Sequence, residues 1–263
     1  MNTRSDQEHV VRRRRGAFEE RRQILVGLAG VVEALSRVVD GIELVKTYRV
    51  LDGIAENVLL APSDDIEATR RILEAHDDIG ACILEPTGAS FGQVPVTKEF
   101  ITELRKITAE RGVILIFDEV ISYRAAMGGC QEYYGITPDM TSLGKIIGGG
   151  FSIGAFGGKK AIMDLYDPSQ TGGPRVAHAG TFNANPVTMI AGAATLEELT
   201  PEVYQNLAEK TDYLKTEILK VAKELEVPIQ VTGLGSLFGI HFTSDELVGY
   251  RDIAAEDAAA HVA

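Results

Sequence analysis

Short apolar segments alternate with amphipathic segments through the central part of this 263-residue chain. The apolar segments have the length of strands and lie at 57–61, 81–84, 113–117, 140–143 and 153–156. Two of the segments between them, 64–75 and 97–111, carry apolar residues at helical spacing. Ser63 and Asp64 are the candidate caps of the first helix, and Thr97 is the predicted cap of the second. Apolar strands bounded by amphipathic helices predict an α/β fold, in which helices cover both faces of a mostly parallel sheet.

The two ends of the chain depart from this alternation. Charged residues dominate up to Arg22, and apolar residues then recur at helical spacing from Ile24 to Val45, which predicts one or two helices. Beyond the central part, the sequence predicts two helices, two strands and a helical tail, at 186–199, 201–225, 228–232, 236–242 and 245–263. We therefore expect three parts, a helical segment 1–54, a large α/β domain 55–198 and a small α+β domain 199–263.

Composition excludes several classes of function. The net charge of −12 disfavours non-specific binding to nucleic acid. Cys82 and Cys130 are the only cysteines, too few for a disulfide scaffold, so we expect a cytoplasmic protein. No apolar run approaches the roughly 20 residues that span a bilayer, and no apolar stretch follows Arg12 to Arg15 as in a secretory signal. We therefore expect neither a nucleic-acid nor a membrane partner.

Three charged side chains follow predicted strands, where ligands bind in sheets of this kind. Glu85 follows 81–84, Asp118 follows 113–117, and Lys145 follows 140–143. A lysine and an aspartate so placed are what pyridoxal 5′-phosphate chemistry requires. The lysine attaches the cofactor as a Schiff base, and the carboxylate keeps the pyridine nitrogen protonated so that the ring accepts electrons.

Other chemistries fit the sequence less well. The three glycines Gly148 to Gly150 resemble a phosphate loop, but neither GxxxxGK[ST] nor GxGxxG occurs, so a nucleotide site is not predicted. His178 has no second ligand at metal spacing, and His241 lies in a predicted strand. We therefore predict no metal site and interpret these histidines as a loop residue and a core residue.

Five segments carry a resemblance to a known family. They are ILEPTGASFGQVP at 83–95, GVILIFDEV at 112–120, GITPDMTSLGKIIGGGFSIGAFGG at 135–158, HAGTFNANP at 178–186 and VTGLGSLFGIHF at 231–242. With them the chain resembles the class III aminotransferases, which are fold-type I pyridoxal phosphate enzymes. Within that class it is similar to the branch of glutamate-1-semialdehyde aminomutase and β-phenylalanine aminotransferase. The resemblance implies part of the large domain of that fold and the start of its small domain.

The resemblance also implies roles for individual residues. Lys145 would bind the cofactor and carry the proton in the amino transfer, and Asp118 would pair with the pyridine nitrogen. Val120 would pack on the ring, and Thr181 would contact the cofactor phosphate of a neighbouring subunit. Glu85 would lie near the substrate. The family consists of homodimers with shared sites, so the implied partners are a second copy and amino acid and keto acid substrates.

Three functions remain open from the sequence. GGGFSIGAFGG and GTFNANP are closer to the β-amino acid aminotransferases, which favours a transaminase that acts on a β-amino acid and a keto acid. The alternative enzyme is a glutamate-1-semialdehyde 2,1-aminomutase. Residues 1–50 lack the turn that binds the cofactor phosphate in this family, and the small domain is short, so the chain looks truncated at both ends. The third hypothesis is therefore an inactive fragment or pseudo-enzyme without the phosphate cup.

Overall fold

The computed structural model describes residues 23–27, 58–89, 92–249 and 252–253. Its strands are β1 Gln23–Gly27, β2 Val58–Ala61, β3 Ile79–Leu84, β4 Ile114–Glu119, β5 Met140–Gly144, β6 Gly154–Gly158, β7 Gln230–Leu234 and β8 Leu237–His241. Its α-helices are α1 Ile66–Ala75, α2 Lys98–Arg111, α3 Gly129–Tyr134, α4 Lys160–Met163, α5 Pro186–Glu198 and α6 Pro201–Glu224. Three 3₁₀ turns lie at Ser122–Ala125, Lys145–Gly148 and Asp164–Tyr166.

Strands β1 to β6 form one sheet in the order β2-β1-β3-β4-β5-β6. All neighbouring strands are parallel except β5 and β6, which are antiparallel. The α/β fold with a mostly parallel sheet is thus confirmed. Because β3, β4 and β5 are parallel neighbours, their carboxyl ends meet at one edge of the sheet.

Strand β1 corrects the sequence-based expectation of a helix that starts at Ile24. Gln23–Gly27 is a central strand, with Leu25 opposite Leu59 on one side and Cys82 on the other. A short apolar run fits a strand as well as a helix, so the spacing of Leu25 and later apolar residues did not decide between them. The rest of the predicted helical segment 1–54 lies outside the described residues.

Side-chain caps fix the starts of the first two helices. Asp65 caps α1, and its Oδ1 accepts from the Ala68 amide at 2.8 Å. The expected caps Ser63 and Asp64 are therefore wrong, because the Asp64 carboxylate instead accepts from the Thr97 amide and hydroxyl, both at 2.9 Å. Thr97 caps α2 as predicted, accepting from the Phe100 amide at 3.2 Å.

The main core lies between these helices and one face of the sheet. Leu115 and Phe117 alternate on β4 and are fully buried, opposite Cys82 and Leu84 of β3. The core also includes Leu73 of α1, Phe100, Ile101, Leu104 and Ile107 of α2, and Cys130 and Tyr134 of α3. Burial of such apolar side chains stabilises the fold by about 1.5–3 kcal/mol each.

The last elements are two helices and a hairpin. Strands β7 and β8 pair antiparallel and turn at Gly235 and Ser236. The hairpin contacts the loop after β3, because the Thr232 hydroxyl and the His241 ring nitrogen both hydrogen-bond the Gly92 carbonyl. Of the predicted helical tail 245–263, residues 245–249 and 252–253 are described. Residues 245–249 are not helical, which corrects the expectation there, and 252–253 are helical. No helix in the described ranges is long and apolar enough to cross a membrane.

Asp139, in the turn before β5, joins three elements through its carboxylate. It accepts from the Leu115 amide at 2.8 Å, from Arg105 at 2.9 Å and from Lys159 at 2.5 Å. Its side chain is only 10% exposed and that of Arg105 17%. We predict that Asp139→Asn lowers the free energy of unfolding by about 3 kcal/mol, because Arg105 loses its counter-charge in a mostly buried site.

Urea unfolding at neutral pH measures this loss. Asp212→Asn on the exposed surface of α6 makes the same chemical change and serves as the matched control, with an expected effect within about 0.5 kcal/mol. Equal midpoints for the two variants would contradict the assignment of Asp139 as a buried ionic anchor.

Candidate active site at the carboxyl edge of the sheet

Asp118 is held in place by the neighbouring strand. It lies opposite Ser142 in the parallel register of β4 and β5, and the Ser142 hydroxyl donates to its Oδ1 at 2.9 Å. The Val120 amide also donates to Oδ1, at 3.2 Å. The second carboxylate oxygen, Oδ2, has no hydrogen-bond partner among the described residues. Asp118 is half-buried, so one oxygen is fixed while the other is available to a ligand.

Lys145 begins the turn directly after β5. It is exposed, and its φ of 49° lies in the left-handed region that non-glycine residues rarely adopt. Backbone strain of this kind costs on the order of 1–3 kcal/mol and is concentrated at functional sites. The turn ends at Gly149, whose φ is 58°.

Val120 lies next to this turn. A Cβ atom built at Gly144 would be 3.2 Å from Cγ1 of Val120, so the valine packs against the backbone just before Lys145. A side chain at position 144 would push Val120 away from this backbone. The structure therefore brings Asp118, Val120 and Lys145 to the same edge of the sheet. The strand ends predict this for Asp118 and Lys145, and the resemblance implies it for Val120.

Glu85 joins this edge from β3. It is 4% exposed, and its two carboxylate oxygens accept from the Thr87 amide at 3.0 Å and the Thr87 hydroxyl at 2.7 Å. Burial raises the pKa of Glu85 to about 7, against the hydrogen bonds from Thr87 and Ser122, and the negative charge of Asp118 raises it further. Glu85 is thus a buried acid that exchanges its proton near neutrality.

Thr181 lies outside the hydrogen bonds that join these residues. It lies in an exposed loop before α5, and the neighbouring Phe182 is 83% exposed. No hydrogen bond in the described part of the chain joins Thr181 to Asp118, Val120 or Lys145. Within one copy of the chain, the hydrogen bonds of the described residues therefore do not connect Thr181 to the cluster.

Two contacts of this region are not evident from the sequence. Ser142 is recognisable as the partner of Asp118 only once the register of β4 and β5 is known. His178 packs edge-on against Phe156, with ring centroids 5.3 Å apart, and Phe156 is the residue opposite Ser142 on β6. Asp118, Ser142 and Phe156 are thus paired across β4, β5 and β6, and His178 contacts the last of them. No cluster of metal-ligating side chains occurs in the ranges that the structure describes.

Comparisons with known proteins identify the family to which the sequence and the fold are similar. The sequence profile of the family "Aminotransferase class-III" matches residues 40–260. A glutamate-1-semialdehyde 2,1-aminomutase of Fusobacterium nucleatum subsp. nucleatum is 48% identical over 202 residues, which are 76% of this chain and 45% of that protein. The chain spans about half the length of the curated relatives it matches.

Two solved structures share the fold at appreciable sequence identity. An omega-transaminase from Sphaerobacter thermophilus superposes with a TM-score of 0.82 and 38% identity, covering 95% of this chain and 61% of that one. A β-phenylalanine aminotransferase from Variovorax paradoxus has a TM-score of 0.76 and 33% identity, covering 97% and 57%. The sheet described above is therefore that of the fold-type I enzymes.

The raised pKa of Glu85 predicts a pH-dependent contribution to stability. A carboxyl whose pKa is higher in the folded state stabilises fully below its unfolded value of 4.5, and this contribution is lost as the pH rises through about 7. A shift of this size corresponds to about 3 kcal/mol. Glu85→Gln removes the titration, so its free energy of unfolding should rise by about that amount relative to wild type between pH 4.5 and 7.5.

Urea unfolding of both proteins at several pH values in this range measures the difference. Glu110→Gln, an exposed position on α2, is the control and should keep the wild-type slope. Parallel pH dependences for wild type and Glu85→Gln would show that folding does not raise the pKa of Glu85.

Proposed function

The chain belongs to the class III aminotransferase family, and from this membership we propose that it transfers amino groups with pyridoxal 5′-phosphate held by Asp118 and Lys145. Pyridoxal 5′-phosphate is the cofactor of this family. When bound, it supplies an electron sink for the carbanion formed next to the amino group of the substrate. Binding the cofactor, orienting it and moving the proton are the tasks of the protein.

The observation that carries the proposal is the half-satisfied carboxylate of Asp118. Ser142 and the Val120 amide occupy Oδ1 and orient the group, while Oδ2 is available to accept from a protonated ring nitrogen. A negative charge in a half-buried site keeps that nitrogen protonated at neutral pH. Val120, directly after β4, would offer an apolar surface to the ring. The residues present therefore fit the cofactor.

Lys145 would provide the amine. Its exposed side chain at the end of β5 is accessible to a carbonyl group, and the strained turn fixes where the side chain starts. A lysine displaced by the amino group of the substrate can then hold the proton that moves during the transfer. Glu85, buried close to Asp118, would lie on the substrate side of the site.

We also propose that two copies of the chain form a dimer with shared sites. Thr181 is exposed and has no hydrogen bond to Asp118 or Lys145 among the described residues, so we assign its phosphate contact to the neighbouring copy. Apolar side chains on and before α5 are exposed, with Phe182 at 83% and Ile190 at 72%. An apolar surface of this kind is a candidate interface. The residues of this proposed interface all lie in the proposed large domain, 55–198. The proposed small domain, 199–263, contributes none of them.

The proposed substrates are an amino acid and a keto acid in the cytoplasm. Two reactions have separate support. The 48% identity to an aminomutase favours the exchange of an amino group within glutamate 1-semialdehyde. The loops GGGFSIGAFGG and GTFNANP, with the structural match to a β-phenylalanine aminotransferase, favour a β-amino acid as amino donor.

Cofactor binding is tested by adding pyridoxal 5′-phosphate to the purified protein and recording the visible spectrum. We expect a new absorption band that is lost in Lys145→Ala, because Lys145 is the lysine that directly follows β5 and supplies the amine in the proposed site. Lys106→Ala on α2, whose side chain is 61% exposed, is the control and should keep the band. A wild-type protein without the band, or a Lys145→Ala variant with it, would favour the inactive fragment.

Product analysis separates the two reactions. With β-phenylalanine and a keto acid, a β-amino acid transaminase forms the β-keto acid, whereas an aminomutase converts glutamate 1-semialdehyde without a second substrate. We expect turnover of one substrate to exceed that of the other at least about 100-fold, because a site built for one polar group rejects an analogue without it. Equal turnover of both would contradict assignment to either branch.

A further inference from the structure

Glu119 is the neighbour of Asp118 in the sequence but lies on the other face of the sheet. Side chains alternate along a strand, so Glu119 shares the buried face of Leu115 and Phe117 while Asp118 points to the opposite one. Glu119 has no exposed surface at all, whereas Asp118 is half-buried. The proposed function does not use this buried acid.

The carboxylate of Glu119 anchors the start of α3. Oε2 accepts from the Cys130 amide at 2.6 Å, and Oε1 accepts from the Gln131 amide at 3.4 Å and its side-chain amide at 3.1 Å. The same side-chain amide donates to the Thr141 hydroxyl on β5 at 3.2 Å. The carboxylate therefore ties α3 to β4, and the Gln131 side chain that it holds links the helix to β5.

A glycine allows this close contact. A Cβ atom built at Gly129 would be 2.0 Å from Oε2 of Glu119, and the φ of Gly129 is 75°. Any other residue would push the carboxylate and the helix apart. Glu119 and Gly129 thus form a matched pair at the point where α3 meets β4.

Helix α3 in turn supports the two acids of the site. The Tyr134 hydroxyl lies 2.8 Å from the Val96 carbonyl and 3.4 Å from that of Pro86, in the loop that follows Glu85. The Cys130 thiol contacts the Ser122 carbonyl at 3.7 Å. The Ser122 hydroxyl lies between Glu85 and the backbone carbonyl of Asp118.

We propose that Glu119 is a positioning residue, which acts through α3 from the opposite face of the sheet to fix Asp118 and Glu85 relative to each other. Its role rests on the proposed function, since the two acids matter as a pair only if a cofactor and substrate bind between them. The anchoring of α3 itself can be tested in the protein without cofactor.

The first experiment measures the reactivity of Cys130 in Glu119→Gln. With Cys82→Ala in every protein, Cys130 is the only thiol of the chain, and it is fully buried. Replacing the carboxylate leaves the Cys130 and Gln131 amides facing an amide group, so α3 should detach more often. We expect thiol labelling of the cofactor-free protein to accelerate about ten- to a hundredfold. Glu110→Gln is the matched control and should label at the wild-type rate.

The second experiment separates positioning from stability. In the protein with pyridoxal 5′-phosphate, Glu119→Gln should weaken cofactor binding about tenfold. It should also shift the pH midpoint of the Lys145-dependent band by about half a unit, because nearby charges that move change the pKa of groups around them. A general loss of stability does not move that midpoint.

The outcomes distinguish the two proposals. If wild type forms no Lys145-dependent band, the proposed function fails, while the labelling still tests whether Glu119 anchors α3. If Glu119→Gln labels, binds and titrates like wild type, or only unfolds at a lower temperature, the positioning role is refuted. Should Glu119→Gln fail to fold, Gln131→Met removes the side-chain contacts and keeps both backbone donors. Gln131→Met should then change the labelling rate of Cys130 and the pH midpoint of the band in the same directions, but by less. Unchanged values of both would overturn the proposal.

Discussion

The parallel pairing of β4 with β5 is the constraint on which the site depends. Their register places Asp118 opposite Ser142 and ends both strands at the same edge, so that Lys145 follows directly. The backbone hydrogen bonds that set this register are many and cooperative, whereas the side-chain contacts of the site are few. The geometry of the proposed site therefore rests on the sheet, and loops contribute groups to an edge that is already fixed.

Most of the sheet and the cluster around Asp118 could be predicted from the sequence. The apolar runs before Asp118 and Lys145 are short, rich in branched side chains and bounded by turns, which is typical of buried parallel strands. Once the strands are parallel, their ends must converge, so Glu85, Asp118 and Lys145 follow from position alone. The turn at Lys145 and the helix caps depend on residues that are close in the sequence. Thr97 could be predicted as the cap of α2 for that reason.

What the sequence could not supply depends on contacts between distant segments. Gln23–Gly27 is too short for its periodicity to separate strand from helix, and only pairing with β2 and β3 makes it a strand. Asp64 fits the pattern of a helix cap in the sequence. In the structure its carboxylate instead accepts two hydrogen bonds from Thr97, which lies 33 residues away. Ser142 and Glu119 are ordinary polar residues in isolation. Their importance comes from the register and from the helix packed beneath the sheet.

The alternation of acids along β4 has a consequence for how this protein can change. Asp118 and Glu119 are separated by one peptide bond, yet Asp118 is half-buried at the edge of the sheet and Glu119 is fully buried in the interior. Inserting or deleting a single residue within the strand would exchange the two environments and turn Phe117 outward at the same time. Surface loops elsewhere tolerate changes of length, but the spacing along this strand admits none. Variation here is confined to replacing one side chain by another of the same character.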